Sequence, residues 1–263
     1  MAGCGIVRCA VVGHVEWVEF ARVPRVPAPG SIVHAAETRS EPAGGGAVVA
    51  RQLALLAGGC ELFTALGRDD LGRAAERRLA ELGIDVHVQW GGETRRAWTH
   101  VDDDGERTIT VLGDKLLPHA PLPLGGYDLV FFVSGVTDAL REARAARFLA
   151  ATARELPTLR DAGVPLDLLV GSLNDEGERY DGSLEARTVV LTDGANGGTA
   201  NGAPYRAVPA RRVVDTYGAG DSFAAALAFG LVRGDSLDDA LGLAARAGSA
   251  VLGGPGPYAA QLA

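Results

Sequence analysis

The 263-residue chain is 47% hydrophobic and carries 36 glycines. That suits one large α/β domain, or a domain with a small appendage, with many tight turns or close backbone approaches. Its 25 Lys and Arg against 33 Asp and Glu give a formal charge of −8, which argues against a nucleic-acid or anionic-lipid partner but leaves room for a local phosphate pocket. Cys4, Cys9 and Cys60 make no C-x-x-C pair and are odd in number, so free thiols in a reducing cytoplasm are expected. The first apolar run is broken by Arg8 and followed by His14 and Glu16, unlike a signal peptide, and no run reaches the roughly 20 residues of a membrane span.

Ile6 to Val12 reads as a buried strand. Val23 to Gly30 is proline-rich loop, and Ser31 to Thr38 is a candidate edge strand. Gly44-Gly45-Gly46 precedes an alanine- and leucine-rich helix, Ala47 to Ala57, which Gly58 and Gly59 stop. A strand is expected at Glu61 to Leu66. Gly67-Arg68-Asp69-Asp70 then opens a helix through Leu82, with acids early and Arg77 and Arg78 late, matching the helix dipole.

Strand-like segments follow at Val86 to Trp90, Arg96 to Val101 and Thr108 to Leu112, with a hairpin signal at Asp104-Gly105. Leu129 to Val133 reads as a buried strand and Asp138 to Thr152 as a helix. Short strands at Asp167 to Val170 and Val189 to Thr192 precede a second hairpin signal at Asn201-Gly202. Two helices, Ala219 to Val232 and Ser236 to Leu252, end the chain. The alternation predicts a mainly parallel sheet with helices on both faces. Two patches without helices, about 15–38 and 86–112, are expected to form a small sheet standing off it.

The richest segment is Val213-Val214-Asp215-Thr216-Tyr217-Gly218-Ala219-Gly220-Asp221-Ser222-Phe223. Small residues at a helix start leave backbone N–H groups open to a close-approaching anion. Asp221 beside them is placed either to cap the helix or to accept a proton from an attacking hydroxyl.

The run D-T-x-G-A-G-D-x-F resembles the C-terminal signature of the ribokinase-like (PfkB) carbohydrate kinases. The resemblance implies that Gly218, Ala219 and Gly220 form the anion hole and that Asp221 is the base. Gly44-Gly45 resembles the family's acceptor-lining segment, and Gly67-Arg68-Asp69-Asp70-Leu71-Gly72 its G-x-D-x-x-G block. Asn174-Asp175-Glu176 falls where the family carries N-x-x-E, which makes Glu176 the carboxylate that organises magnesium. Thr192, Gly194 and Gly197 resemble the turn near the nucleotide, and Ala247 to Gly256 the region flanking adenine. The family implies ATP and Mg²⁺ as cofactors, a sugar or nucleoside as acceptor, and a β lid that serves as a dimer clasp.

The chain also departs from the pattern. Val49 stands where the family has an acceptor-binding Asn, and valine cannot make those hydrogen bonds. The strand-end acid is replaced by Glu16, with His14 beside it, and Leu173 stands where the Asn of N-x-x-E is expected. The stretch from Glu176 to Val189 is short. Trp17 and Trp98 could stack on an acceptor or bury at the lid junction, and Arg107 could contact phosphate or lie exposed. Asp102-Asp103-Asp104 reads as a solvated turn. A catalytically impaired binding protein of the same fold is the alternative. A dinucleotide-binding dehydrogenase is disfavoured, since no G-x-G-x-x-G follows the first strand.

Overall fold

The computed structural model describes residues 7–263; Cys4 and the Ile6 end of the expected first strand lie outside them. The main sheet has nine strands. Its parallel part is built from β1 (Cys9–Val12), β4 (Glu61–Leu66), β5 (Asp85–Trp90), β8 (Leu129–Phe132), β9 (Phe148–Thr152), β10 (Leu166–Ser172) and β11 (Ala186–Thr192). A hairpin of β12 (Gly198–Ala200) and β13 (Ala203–Tyr205) adds antiparallel strands at one edge, giving the order β13-β12-β11-β10-β9-β8-β1-β4-β5. Its turn is Asn201-Gly202, with φ of 48° and 81°, the paired left-handed conformation that a two-residue hairpin demands.

Strand period two sorts the side chains into two cores. Cys9, Val11, Leu62, Phe131, Ala150 and Leu168 face α1 (Gly45–Ala57), α2 (Asp70–Glu81), α5 (Ala219–Arg233) and α6 (Leu237–Val251). Ala10, Val12, Phe63, Val130, Phe132 and Leu169 face α3 (Thr137–Ala143) and α4 (Leu156–Ala162). A strand buried on both sides reads as a continuous apolar run, which is why Cys-Ala-Val-Val and Leu-Val-Phe-Phe show no alternation. The result is the expected three-layer α/β fold.

A second, mixed sheet runs β3 (Glu37–Ala43), β2 (Glu16–Arg22), β6 (Arg96–Val101), β7 (Arg107–Leu112). β2 and β6 pair in parallel and the outer pairs antiparallel. Its inner face buries Val18, Phe20, Ala97 and Val101 against Val48 and Tyr217. Trp98 points the other way and is 48% exposed, so it is not buried in a junction between the sheet and the core. The 102–106 turn is closed by Asp102, whose Oδ1 accepts from the N–H groups of Asp104 and Glu106.

Three expectations change. Val86 to Trp90 is not part of the small sheet: β5 pairs in parallel with β4 at the edge of the main one. The edge strand expected at Ser31 to Thr38 lies at Glu37–Ala43 instead, after irregular chain. The helix expected at Asp138 to Thr152 stops at Ala143, and Phe148–Thr152 is a buried central strand. A short apolar run rich in alanine has no period that distinguishes the two.

Two glycine blocks let elements touch. A Cβ on Gly46 would lie 2.6 Å from the His14 carbonyl oxygen and 2.8 Å from the Gly13 carbonyl carbon, so α1 begins against the end of β1. Asp69 caps α2: its Oδ1 accepts from Gly72 N–H and from the Thr94 hydroxyl, and its Oδ2 from Thr94 N–H. Burial alone would raise its pKa, but these hydrogen bonds prevail and hold it below the ordinary value.

Helix propensity alone favours Gly46→Ala, yet the backbone contacts leave no room for the methyl group. Denaturant unfolding should show a loss of about 1–3 kcal/mol. Gly59→Ala, where a Cβ meets nothing within 4 Å, should stay within about 0.5 kcal/mol of the parent. Asp69→Ala should cost about 2–4 kcal/mol near neutral pH, combining a lost cap with orphaned Thr94 donors. Because the folded-state pKa lies below the unfolded one, that difference should shrink as pH falls from about 4 downward.

Candidate active site

The segment entering α5 is held from several directions. Asp215 is 1% exposed. Its Oδ2 accepts from Arg39 Nη2 and from Gly256 N–H, both at 2.8 Å, and its Oδ1 from Tyr217 N–H at 2.9 Å. Arg22 Nη1 donates to the Val214 carbonyl and Arg107 Nη1 to the Thr216 carbonyl, each at 2.9 Å. Thr216 N–H donates to the Gly105 carbonyl. Three arginines from three strands of the second sheet therefore grip three successive residues. Period two in β2, with Val18, Phe20 and Arg22 on one face, is what aims Arg22 there.

Beyond this clasp, Gly218 is left-handed at φ 82° and α5 begins. Small side chains are required: a Cβ on Gly218 would meet Val48 Cγ1 at 3.0 Å. Above Gly220 a Cβ would meet nothing within 4 Å, and the residue is exposed. Its N–H and that of Asp221 lie in the first turn, where no intrahelical carbonyl can accept them. An open approach to free amides at the positive end of a 15-residue helix fits the phosphates of a nucleotide.

Asp221 is half-buried and meets the other glycine block. A Cβ on Gly45 would lie 3.0 Å from Asp221 Oδ1. Gly44 N–H donates to the Tyr217 hydroxyl, which ties the start of α1 to the start of α5. Burial, then the charges of Glu178 and Glu16, push the Asp221 pKa up to about 6, with Arg107 and Arg154 opposing. A carboxylate tuned this close to neutrality can take a proton from an alcohol.

A second group lies on the same side of Gly44. A Cβ on Gly44 would touch His14 Nε2 at 3.2 Å and Glu16 Cγ at 3.4 Å. Ser134 Oγ sits 2.9 Å from both His14 N and Nδ1. Burial, then Lys115, Arg95 and Arg154, lower the His14 pKa to about 3, so the ring is neutral at ordinary pH. Glu16 Oε2 faces Arg95 Nε at 3.5 Å, and burial raises the pKa of that acid.

Other expected site residues fall elsewhere. Val49 is 1% exposed inside the main core, packed in the cluster with Phe223, so its side chain does not line the glycine pocket. Glu176 is exposed on a short 3-10 turn. The acid of that turn that acts on Asp221 is Glu178, which pairs with Arg154 together with Asp175. Thr192 ends β11 and donates to the Gly171 carbonyl; Gly194 and Gly197 follow with φ of 54° and 97°. Gly256 is buried beside the Arg39–Asp215 pair, where a Cβ would lie 2.8 Å from Arg39 Nη2. Sequence reasoning passed over Arg22, Arg39, Arg95, Lys115 and Glu178. For Glu178 a signal existed, since Asp175-x-x-Glu178 keeps the N-x-x-E spacing with an acid first.

A cleft of about 440 Å³ lined by Phe20, Arg22, Arg39, Arg212 and Asp215 lies along the clasp, and a second of about 450 Å³ is lined by Glu19, Thr38 and Trp98; neither includes Asp221. Open amides and the perturbed acid coincide instead at the glycine blocks of α1 and α5.

The pattern described as pfkB family carbohydrate kinase matches residues 8–124 and 134–262. The chain is 31% identical to the ATP-dependent ribose-1-phosphate kinase of Halopiger xanaduensis, over 98% of this chain and 96% of that protein. Its fold is similar to that of the ribokinase of Thermotoga maritima, with TM-score 0.78, 20% identity, and 98% and 96% of the two chains covered. It is also similar to the Burkholderia thailandensis nucleoside kinase in complex with inosine, with TM-score 0.79, 19% identity, and 96% and 94% covered. The aspartate, the open amides and these likenesses agree: the chain belongs to the pfkB family of carbohydrate kinases.

Proposed function

We propose that this kinase transfers the γ-phosphoryl group of ATP to a hydroxyl of a sugar or nucleoside bound beside Gly44 and Gly45, with Asp221 as the base. The observation that carries this reading is the Asp221 carboxylate at the start of α5, next to Gly45, with a pKa pushed up to about 6. The acceptor O–H proton passes to Asp221 as the oxygen bonds to phosphorus. The bond from phosphorus to the bridging oxygen breaks, and ADP departs with that electron pair. In the Gly218-Ala219-Gly220 turn the open amides are those of Gly220 and the adjoining Asp221, since Ala219 N–H donates to the Thr216 carbonyl, and they stabilise charge that develops on the transferring group. They suit this role because they are fixed in direction before the reaction.

Thr192, Gly194 and Gly197 at the end of β11 are assigned to the nucleotide. Glu178, with Asp175, is assigned to Mg²⁺ in preference to Glu176, because Glu178 alone of that turn bears on Asp221. A metal held by these carboxylates would supply positive charge to offset that of the phosphates. The second sheet is read as a lid over the acceptor. Its edge strand β7 leaves Ile109 and Val111 about two-fifths exposed, and there a second copy would join to form a dimer.

Asp221→Asn removes the proton acceptor while keeping the size and shape of the side chain. Its kcat should fall roughly a hundredfold to ten-thousandfold, with ATP affinity by calorimetry unchanged. Full turnover in that variant would defeat the assignment. Only the ionised carboxylate can take the proton, so kcat/KM should fall tenfold per unit as pH drops below about 6. A profile flat down to pH 5 would place the proton elsewhere.

A further inference from the structure

Glu16 and Arg95 form an unusual pair. The Glu16 side chain is 8% exposed and that of Arg95 17%, and they face each other at 3.5 Å. Among the described residues, neither the Glu16 Oε2 nor the Arg95 Nε has a hydrogen-bond partner. Polar atoms buried to this degree are normally satisfied, and a pair left at this distance holds capacity for a ligand. Glu16 borders Gly44, the neighbour of the glycine against Asp221.

The position of Arg95 is built. Asp69 locks Thr94 through its N–H and its hydroxyl, and Gly67 N–H donates to the same hydroxyl. The G-x-D-x-x-G block thus fixes the residue before Arg95. A second cation stands near: Lys115, the sole lysine of the chain, held 3.0 Å from Glu155. Arg95 precedes β6 and Lys115 follows β7, both at the open end of the hairpin where Arg96 pairs with Leu112, and both act on His14 and on Glu16. His14 is neutral and offers a hydrogen bond without charge.

We infer that the acceptor is itself a phosphate ester, a pentose phosphate whose anionic group is held by Arg95 and Lys115 while Glu16 receives a sugar hydroxyl. The inference rests on the kinase reading above and narrows its acceptor. A neutral sugar or nucleoside leaves the Arg95 guanidinium with nothing to donate to except an imperfectly placed Glu16. A phosphate supplies oxygens for a planar guanidinium and for an ammonium at once. It also frees Glu16 to accept from a hydroxyl. The relative from Halopiger xanaduensis carries ribose 1-phosphate in its name, which agrees with this chemistry.

The test is steady-state kinetics with Mg²⁺-ATP and ribose, ribose 1-phosphate, ribose 5-phosphate and adenosine as acceptors. The unaltered enzyme should use at least one pentose phosphate at least tenfold better in kcat/KM than ribose or adenosine. In Arg95→Ala and in Lys115→Gln, KM for that pentose phosphate should rise roughly tenfold to a hundredfold, as for one lost charge-assisted hydrogen bond. KM for ATP should not move, and Arg95→Lys should recover part of the loss. Equal or better use of ribose or adenosine by the unaltered enzyme overturns the inference and leaves the kinase reading standing. So does an unchanged KM for the pentose phosphate in both variants. No transfer to any acceptor, with ATP still bound, sinks the kinase reading itself. Should Arg95→Ala not fold, Lys115→Gln and the substrate ratio of the unaltered enzyme decide the matter.

Discussion

The candidate active site depends on a buried carboxylate, Asp215, at which the small sheet meets the entry to α5 and the C-terminal segment. It accepts from Arg39 of β3, from Gly256 past the end of α6, and from Tyr217 two residues on. An acid at 1% exposure is tolerable only because a cation and two N–H groups replace the water it lost. That solution joins the small sheet, the C-terminal segment and the entry to α5 at one atom group. Arg22 and Arg107 grip the residues on either side of it. The direction in which the amides of 218–220 point is therefore set partly by a sheet that contributes none of those amides.

The glycine blocks translate this fixed geometry into room for ligands. Gly45 and Gly46 bring α1 against the ends of β1 and α5, and Gly218 lets the chain turn left-handed into α5. Any side chain at Gly45 would fill the space beside the Asp221 carboxylate. The same proximity raises the Asp221 pKa, because a carboxylate enclosed by backbone and faced by Glu178 and Glu16 loses solvation and meets like charge. Space for the substrate and basicity of the catalyst follow from one arrangement.

Much of this was legible from residues alone, for physical reasons. A glycine-rich turn before a long apolar helix has few uses, and Asp215 to Phe223 marked both the open helix start and the acid beside it. The hairpins at Asp104-Gly105 and Asn201-Gly202 were readable because positive φ selects those residue types. Phe148–Thr152 was misread because a five-residue run with a buried Leu-Ala-Ala centre has no period, and Val86–Trp90 because a strand's composition does not name its partner. Arg22, Arg39 and Arg95 were invisible for a different reason. Arginines on alternating strands normally face solvent, and only tertiary structure shows that these turn inward. Val49 was expected at the site by alignment, yet one step of helical rotation carries a side chain from pocket to core.

The departures from the family pattern are coherent once the charges are placed. Val49 packs into the core and offers an acceptor nothing, whereas Arg95 and Lys115 both act on Glu16 and His14. Each keeps a carboxylate companion, Glu16 and Glu155, so an acidic chain can hold cations in a half-buried cleft without a ligand. The two companions differ in how fully they satisfy the cation. The Lys115–Glu155 pair is a hydrogen bond at 3.0 Å, whereas Glu16 and Arg95 leave atoms unpaired at 3.5 Å. An arriving anion would exchange a poor contact at Arg95 for a good one, and most of the desolvation of that guanidinium was already met when the chain folded. A pocket for neutral sugars gains nothing from such an arrangement, which is why the proposed acceptor is tied to Glu16 and its companion Arg95 and not to Val49 in the core.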